Sequence, residues 1–207
     1  MVGLQLLNML RQNYSRCSGV QADIKSYSQG HFKAGQHVDE LRQGTTEATL
    51  LWSKPNKLRL TVVTSTNALL IGAAMATPDG QQITARAKGI LGIFPLHFSP
   101  TEPRLSNNRN HPFTENNPKT QIERLTGANA VWTVVADSNI EGTAVKLLSV
   151  DGVKRLDRDV TREVVAIDPA AGSLRGVVMY AGNTRVVDYH FMSFRWSPSI
   201  TEDMFSL

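Results

Sequence analysis

The chain has 207 residues, of which 41% are hydrophobic and 19% charged, and its formal net charge is +4. This composition excludes a disordered or collagen-like chain, and the length fits a single domain over residues 1–207. Because the basic residues are scattered rather than grouped, the mild positive charge argues against nucleic acid as a partner.

The single cysteine, Cys17, excludes an intramolecular disulfide and a cysteine-rich metal site. No hydrophobic stretch is long enough to span a bilayer, and residues 1–14 have neither a basic start nor a cleavage-like end. Either the protein is cytoplasmic or its export signal is absent from this sequence.

The first elements change from helical to strand periodicity. Apolar residues recur at helical spacing over residues 3–16, which predicts one amphipathic helix. From Val20 the period changes to two, which predicts a strand as far as Phe32. The polar residues 33–44, with two glycines, are typical of a loop or hairpin connection.

Residues 45–63, TTEATLLWSKPNKLRLTVV, predict a β-hairpin with its turn at Lys54–Pro55–Asn56. Pro55 has no N–H to donate to a ladder, and it forces the residue before it towards extended geometry. Two strands joined by a turn are therefore favoured over one long element.

A further hairpin is predicted from the apolar strand 67–76, the turn Pro78–Asp79–Gly80 and the strand 81–87. The apolar run 89–98 is interrupted by glycine and proline, and either a short buried helix or a flap fits it. Residues 99–128 form the longest irregular segment, which is uncommon in a compact domain unless it is functional or mobile.

The second half of the chain consists of strands and turns. Strands are predicted at residues 131–137, 143–150, 162–168, 174–180 and 184–196. Successive hairpins give an antiparallel meander of about ten strands, which is too wide to lie flat and should curl into a barrel or part-barrel. Near the end of the chain, Phe205 is expected to pack back on the body.

Several segments follow one another in an order known from a family of bacterial envelope proteins. These are the opening helix, a first strand of VQADI type, the segment LLWSKPNKLRL, the turn Asp79–Gly80, and the ending from Val187 to Phe205. In this order the chain resembles the LolA/LolB-type outer-membrane lipoprotein carriers and the wider periplasmic lipoprotein-sorting proteins. The resemblance spans most of the chain but leaves residues 99–128 unexplained, as an insertion or a lid segment.

The resemblance implies a mainly β fold with flanking helices, in which a curved antiparallel sheet forms an unclosed β-barrel with an α-helical lid. It also implies a non-catalytic carrier of the periplasm or cell envelope that binds acyl chains of a lipoprotein or another envelope lipid in an apolar cavity. The protein would then be exported, act as a monomer without a cofactor or metal, and have envelope membrane proteins as further partners.

A carrier of this kind needs an apolar interior, since each buried CH₂ group contributes about 0.8 kcal/mol. Strands that are apolar on both faces, such as LLIGAAM, REVVAI and LRGVVMY, agree with that need. The predicted ligand-binding residues are Leu50, Trp52, Leu60, Val62, Leu69, Ile71, Val134, Leu147, Val165, Val177, Met179 and Phe191. The sequence does not reveal which face of each strand is concave.

The predicted lid consists of Ile90, Leu91, Ile93 and Phe94, together with Lys54. In the lipoprotein carriers the basic residue before Pro-Asn is an arginine that helps to hold the lid. Lysine offers a point charge without the bidentate fork, so the chain departs from the family at this position. A carrier of another lipid would tolerate that change.

Other functions fit parts of the sequence. Its tryptophans and methionines suit either a ligand cavity or an ordinary core. A hydrolase would require a cluster assembled from His97, Glu102, His111 and Glu115, but no histidine shows metal-ligand spacing and no G-x-S-x-G precedes a helix. An envelope sensor or protein-binding module that uses the same curved sheet is the main alternative.

Overall fold

The computed structural model describes residues 2–33, 39–66, 71–77, 81–87, 95–102, 105, 107–109, 111 and 118–207. Its helices are α1 (Val2–Arg16), α2 (Pro118–Leu125) and a C-terminal 3₁₀ helix (Glu202–Phe205). Its strands are β1 (Gly19–Lys33), β2 (Asp39–Ser53), β3 (Lys57–Ser65), β4 (Ala74–Thr77), β5 (Ile83–Arg86), β6 (Leu96–Phe98), β7 (Val131–Ile140), β8 (Thr143–Asp151), β9 (Arg162–Asp168), β10 (Ser173–Ala181) and β11 (Thr184–Trp196). No helix in these ranges is long and apolar enough to cross a membrane.

The described strands form one antiparallel sheet in the order β6-β5-β4-β3-β2-β1-β11-β10-β9-β8-β7. The sheet does not close into a barrel, because β6 and β7 remain at opposite edges. This confirms the predicted mainly β fold with an unclosed barrel and flanking helices. The predicted single meander is replaced by two, β1 to β6 and β7 to β11, which meet where β1 pairs with β11.

The hairpin of β1 and β2 is longer than predicted. The two strands pair without interruption from Gly19 opposite Ser53 to Lys33 opposite Asp39. Residues 39–44 therefore belong to a strand, and their assignment to a loop was wrong. The sequence did not predict this part of the strand, since most of its side chains are polar and do not alternate with apolar ones. Main-chain hydrogen bonds form a strand without such alternation where the sheet is open to solvent.

Three other segments also differ from the predictions. Ile71 lies in a turn before β4, and the turn uses the left-handed backbone of Gly72, at φ 75°. Part of the run predicted as a buried helix or flap is strand β6, which pairs with β5. The segment 99–128 contains helix α2, which begins at Pro118, a residue favoured in the first helical turn. Residues 67–70, 78–80 and 88–94 lie outside the described residues.

Both helices pack on one face of the sheet, here called the inner face. On β1 and β2 this face carries Val20, Ala22, Leu50 and Trp52, which are buried together with apolar residues of α1 and α2. Trp132 on β7 donates from its indole N–H to the Leu125 carbonyl at 3.1 Å, so that its polar atom is satisfied within the core.

The two helices are also tied to one another. Arg11 of α1 donates to the carbonyls of Thr126 at 2.9 Å and Gly127 at 2.8 Å, just beyond the end of α2. A cation there satisfies free carbonyls and complements the helix dipole. Tyr14 of α1 donates its hydroxyl to Glu123 of α2 at 2.7 Å.

The C-terminal segment packs back on the sheet, as predicted. The Phe205 side chain is 2% exposed. Arg59 of β3 donates to the main-chain oxygens of Met204 at 2.9 Å and Ser206 at 3.1 Å. Arg59 therefore holds the last residues of the chain against the sheet.

Candidate functional site

The inner face is divided into two zones along β1 and β2. Near the start of β1 it is covered by α1, where the rings of Tyr14 and Trp52 stack with their centroids 5.8 Å apart. Further along the strands the face borders a cavity of about 790 Å³. The size lies within the range usual for small-molecule sites, about 300–1,000 Å³.

The strand residues that line the cavity nearest to the buried core are apolar. Its walls come from both halves of the sheet, because β1 to β4 supply one side and β10 and β11 the other. The apolar lining residues on the strands are Ile24, Ala48, Leu50, Leu60, Val62, Met75, Val177 and Phe191. Such a surface favours the burial of hydrocarbon.

Five predicted ligand-binding residues line this cavity, namely Leu50, Leu60, Val62, Val177 and Phe191. Trp52, Val165 and Met179 belong instead to the buried core. They share the inner face with the cavity residues but lie in the part of it that is filled by protein side chains. Position along a strand decides between the two zones, and sequence periodicity does not report it.

The other predicted ligand-binding residues lie elsewhere. Leu147 is on the opposite face of β8 from the buried Leu148, Val134 is 37% exposed on edge strand β7, and Ile71 is 37% exposed in its turn. The prediction that these three residues line the cavity was wrong. A short apolar run does not reveal which face of the sheet a side chain occupies or where along the strand the cavity lies. Leu69 lies outside the described residues.

A segment that crosses the cavity, here called the strap, comprises residues 105, 107–109 and 111. Leu105, Asn107 and Asn108 line the cavity opposite the sheet. Asn107 donates to the hydroxyl of Tyr189 on β11 at 3.1 Å, and Asn108 donates to the Ser28 carbonyl on β1 at 3.1 Å. The strap therefore bridges the two meanders where they meet.

The far end of the strap is held by a charged cluster. Arg109 contacts Asp157 at 2.5 Å and Asp159 at 2.6 Å, and His111 contacts Asp157 at 2.8 Å. The side chains of Arg109, His111 and Asp157 are 9%, 4% and 14% exposed. Burial acts to raise the pKa of Asp157, but the hydrogen bonds and charges of His111 and Arg109 outweigh it and hold that pKa below its usual value.

Local sequence gives the strap its shape. The Asn107 side-chain oxygen accepts from the backbone N–H groups of Arg109 at 2.9 Å and His111 at 3.1 Å, a turn that asparagine favours. A Cβ on Gly30 of β1 would lie 2.5 Å from the Asn108 carbonyl oxygen. Glycine at this position allows the strap to approach the sheet. Burial raises the pKa of Tyr189 to about 12, which keeps its hydroxyl protonated in this arrangement.

Helix α2 closes the cavity from another side. Gln121 lines the cavity and accepts from Arg124 at 2.9 Å. Arg124 also forms a bidentate pair with Glu163 on the inner face of β9, and Arg155 contacts the same carboxylate at 3.3 Å. The side chains of Arg124 and Glu163 are 5% and 0% exposed, so the helix is fixed to the sheet by a buried ion pair.

Of the predicted lid residues, Ile90, Leu91, Ile93 and Phe94 lie outside the described residues. Lys54 follows β2 and lies beside the C-terminal end of α1. Its ammonium group donates there to the carbonyls of Tyr14 at 2.8 Å and Ser15 at 3.1 Å. It also lies 5.0 Å from the centroid of the Tyr14 ring. In this structure Lys54 anchors the helix that covers the inner face.

We expect Lys54→Met to lower the free energy of unfolding by about 1–2 kcal/mol, because two charged hydrogen bonds to free helix carbonyls are lost. Chemical denaturation monitored by circular dichroism measures the change. Lys54→Arg is the control and should retain most of the stability, since a guanidinium group can reach the same carbonyls. A loss in Lys54→Arg as large as in Lys54→Met would contradict this role.

The hydrolase cluster considered from the sequence does not assemble within the described residues. His97 on β6 lies 3.3 Å from the Thr84 hydroxyl, whereas His111 faces Asp157 in the strap. Glu115 is outside the described residues. Among the described side chains, no group of three His, Cys, Asp or Glu residues is arranged to hold a metal ion.

Sequence reasoning missed the strap and its cluster. The segment NNRNH had indicated only an irregular region, although binding and catalytic residues lie on loops more often than on the elements that the loops connect. The missing information was the position of Asp157 and Asp159, which reach the strap from another part of the chain. The extension of β2 over residues 39–44 left no apolar alternation in the sequence that could have revealed it.

Several solved structures have a similar fold. The chain is similar to an uncharacterized conserved protein from Thermus thermophilus, with TM-score 0.55, 9% identity, and coverage of 99% of this chain and 92% of that one. It is similar to MucB, with TM-score 0.50, 12% identity, and coverage of 99% of this chain and 62% of MucB. A LolA superfamily protein, NE2245 from Nitrosomonas europaea, aligns with TM-score 0.46, 11% identity, and coverage of 100% and 98%.

The unclosed-barrel fold that the resemblance implied is confirmed by the sheet and is shared with the Thermus protein and MucB, and at these identities the comparisons show the fold alone. The chain spans less than two thirds of the length of MucB. No protein-family model matches the sequence, and the comparison with curated proteins finds no match.

Proposed function

We propose that this protein is a non-catalytic binding protein of the cell envelope that holds the acyl chain of a lipid or lipoprotein in the cavity under the strap. One observation carries the proposal, namely a cavity of about 790 Å³ whose walls come from both halves of the sheet and include the apolar residues Leu50, Val177 and Phe191. A cavity of this size is not expected in a core of sheet and helices, because protein interiors are normally packed as densely as organic crystals.

The energetics support hydrocarbon as the occupant. Each CH₂ group moved from water to an apolar site contributes about 0.8 kcal/mol, so a long chain gains enough to leave a membrane surface or micelle. Leu50, Leu60, Val62, Val177 and Phe191 are the proposed contacts. The strap and α2 would limit the access of water to the bound chain.

The proposed setting is the one that the family resemblance implies. We place the protein in the periplasm or cell envelope, as an exported monomer formed by a single domain, with the acyl chain and envelope membrane proteins as its partners. The structural neighbours named above share the fold, and a function of this kind suits a half-open barrel.

The alternative is an envelope protein-binding module, and edge strand β7 is the observation that favours it. This strand is ten residues long, its outer backbone edge is unpaired within the described sheet, and Val131 and Val135 are 58% and 55% exposed. An extended peptide could add to such an edge by main-chain pairing. A solved structure shows MucB, which has a similar fold, in complex with MucA(peri).

A blocked cavity tests the proposal. Ala48 lines the cavity and is 6% exposed, so we expect the larger side chain in Ala48→Phe to occupy the space of the ligand. Binding of cis-parinaric acid, a fatty acid whose fluorescence rises in apolar sites, should weaken at least tenfold. Val63→Phe is the matched control, because Val63 is 55% exposed on the opposite face of β3 and should leave binding unchanged.

Native mass spectrometry of the purified protein provides an independent measurement. Co-purifying acyl species in the wild type, reduced in Ala48→Phe, support the carrier function. The proposal fails if the wild-type protein binds no acyl probe, or if Ala48→Phe binds as tightly as Val63→Phe. In that case, pairing of a partner peptide with β7 becomes the better explanation of the fold.

A further inference from the structure

The apolar lining of the cavity ends at a row of hydroxyl side chains. Ser26 on β1 lies opposite Thr46 on β2 and Tyr189 on β11, and Thr46 in turn lies opposite a serine on β3. That serine is Ser65. All four residues line the cavity, and they are here called the hydroxyl row. With about 4.8 Å between neighbouring strands, the row crosses about 14 Å of the sheet as one continuous polar band.

The adjacent row of the inner face, on the side towards α1, is entirely apolar. Ile24 on β1 pairs with Ala48 on β2 and with Phe191 on β11, and Ala48 also pairs with Val62 on β3. All of these residues line the cavity, and Leu50 continues the apolar lining on β2. The lining therefore changes from apolar to hydroxyl between two neighbouring rows, at the same level on four strands.

On the other side of the hydroxyl row, protein atoms cover the inner face. A Cβ on Gly44 would lie 2.6 Å from the hydroxyl oxygen of Thr66, and a Cβ on Gly30 would lie 2.5 Å from the carbonyl oxygen of Asn108. Arg42, the register neighbour of Gly30, already has an interaction partner. The polar group of a bound chain is therefore expected at the hydroxyl row itself, between the apolar lining and the strap.

The hydroxyl row can accept further hydrogen bonds. Ser26 donates its hydroxyl to the Thr46 carbonyl at 3.2 Å, and the hydroxyls of Thr46 and Ser65 share one hydrogen bond of 3.2 Å. A hydroxyl group has one proton and two lone pairs, so the side-chain oxygens of Ser26 and Thr46 each retain a lone pair for a ligand. An N–H or O–H group suits these oxygens. An ionised carboxylate only accepts hydrogen bonds, and its burial without a partner is costly.

We infer that the cavity prefers an uncharged amphiphile whose polar group donates a hydrogen bond to the hydroxyl row. Its chain would lie against Ala48 and Leu50, and its N–H or O–H group would meet Ser26 and Thr46. This inference rests on the proposed function and specifies its ligand. The shared chemistry is a neutral donor beside a hydrocarbon chain, and an amide-linked acyl chain and a hydroxyl-bearing lipid both provide it.

Two pairs of probes with the same twelve-carbon chain test the inference. N-methyl lauramide is compared with N,N-dimethyl lauramide, and dodecanol with dodecyl methyl ether. In the second member of each pair, here called the capped probe, a methyl group replaces the donor proton. Displacement of cis-parinaric acid measures the affinities.

We expect each donor probe to bind the wild type about fivefold more tightly than its capped partner, as a neutral hydrogen bond allows. The additional methyl group by itself favours burial of the capped probe, so a preference for the donor reports hydrogen bonding. Laurate at pH 8 should bind more weakly than N-methyl lauramide, because its carboxylate has no proton to donate. The pair with the larger difference identifies the ligand group as amide or hydroxyl.

Substitutions then assign the preference to the hydroxyl row. Thr46→Val replaces the hydroxyl with a methyl group of similar size, and Ser26→Ala removes the second acceptor. The double variant should bind each donor probe no more tightly than its capped partner. Affinity for the capped probes should stay within twofold, which shows that the cavity is intact. Thr45→Val is the control, because Thr45 is exposed on the opposite face of β2 and should keep the wild-type preference.

Four results would overturn the inference. If donor and capped probes bind the wild type equally, the hydroxyl row does not recognise a donor, while the carrier function stands. If laurate binds as tightly as N-methyl lauramide, the ligand need not be uncharged. If the double variant keeps the preference, other groups recognise the donor. If neither cis-parinaric acid nor any other probe binds, the proposed function fails together with its ligand, and the two failures are therefore distinguishable.

Discussion

Replacing Glu163 with glutamine should lower the free energy of unfolding by about 3–5 kcal/mol, the cost of breaking a buried ion pair by removing one partner. The Glu163 side chain is fully buried and accepts from both Arg124 and Arg155. Glutamine retains the shape and one acceptor oxygen but not the charge. The guanidinium group of Arg124, itself 5% exposed, would remain charged in the core without its counter-ion.

Urea denaturation at neutral pH measures this change. Glu202→Gln is the matched control, because Glu202 pairs with Lys57 while its side chain is 86% exposed, and such surface pairs contribute at most about 1 kcal/mol. Equal effects of the two substitutions would contradict the structural role of the buried pair. A loss confined to Glu163→Gln would show that α2 is fixed to the sheet mainly through this carboxylate.

Replacing Asp157 with asparagine should release the strap and cost about 2–3 kcal/mol, because Arg109 and His111 lose the carboxylate that they share. Hydrogen exchange of the strap amides should accelerate more than exchange in β9 or β10. Gly30→Ala should accelerate the same amides without changing any charge, since its Cβ would meet the Asn108 carbonyl. Unchanged strap exchange in both variants would show that the strap is held by other contacts.

The effect of Asp157→Asn on the free energy of unfolding has a defined pH dependence. The pKa of Asp157 is lower in the folded protein than in the unfolded chain, so its contribution to stability is fully present above the unfolded value, about 3.9. That contribution is lost as the pH falls below this value and through the folded pKa. The difference in stability between the wild type and Asp157→Asn should therefore be largest at pH 7 and shrink towards pH 3.

The sequence predicted the architecture well because the sheet depends on local signals. Period-two alternation, Pro55 and the later turns placed most strands within a few residues of their observed bounds. The errors fall where those signals are absent. Residues 39–44 pair as a strand with polar side chains, and β1 joins β11 through contacts that no local pattern describes.

The cavity was harder to predict than the fold. Periodicity grouped Leu50, Trp52, Val177 and Met179 on one face, but it could not separate the residues beneath α1 from those that border empty space. The strap required long-range pairing between Arg109 and a loop that follows β8. Such contacts depend on the assembled tertiary structure, so the polar half of the site became visible only in three dimensions.

The seam between β1 and β11 also determines when the fold can form. Val20 pairs with Trp196, so the centre of the sheet joins strands from opposite ends of the sequence. Closing so large a loop has an entropy cost that must be met before the contacts between the two strands can form. During synthesis the β1–β2 hairpin would present one unpaired edge and a bare apolar face until β11 emerges. We expect this interval to be the stage at which the nascent chain is most prone to aggregation and most dependent on chaperones.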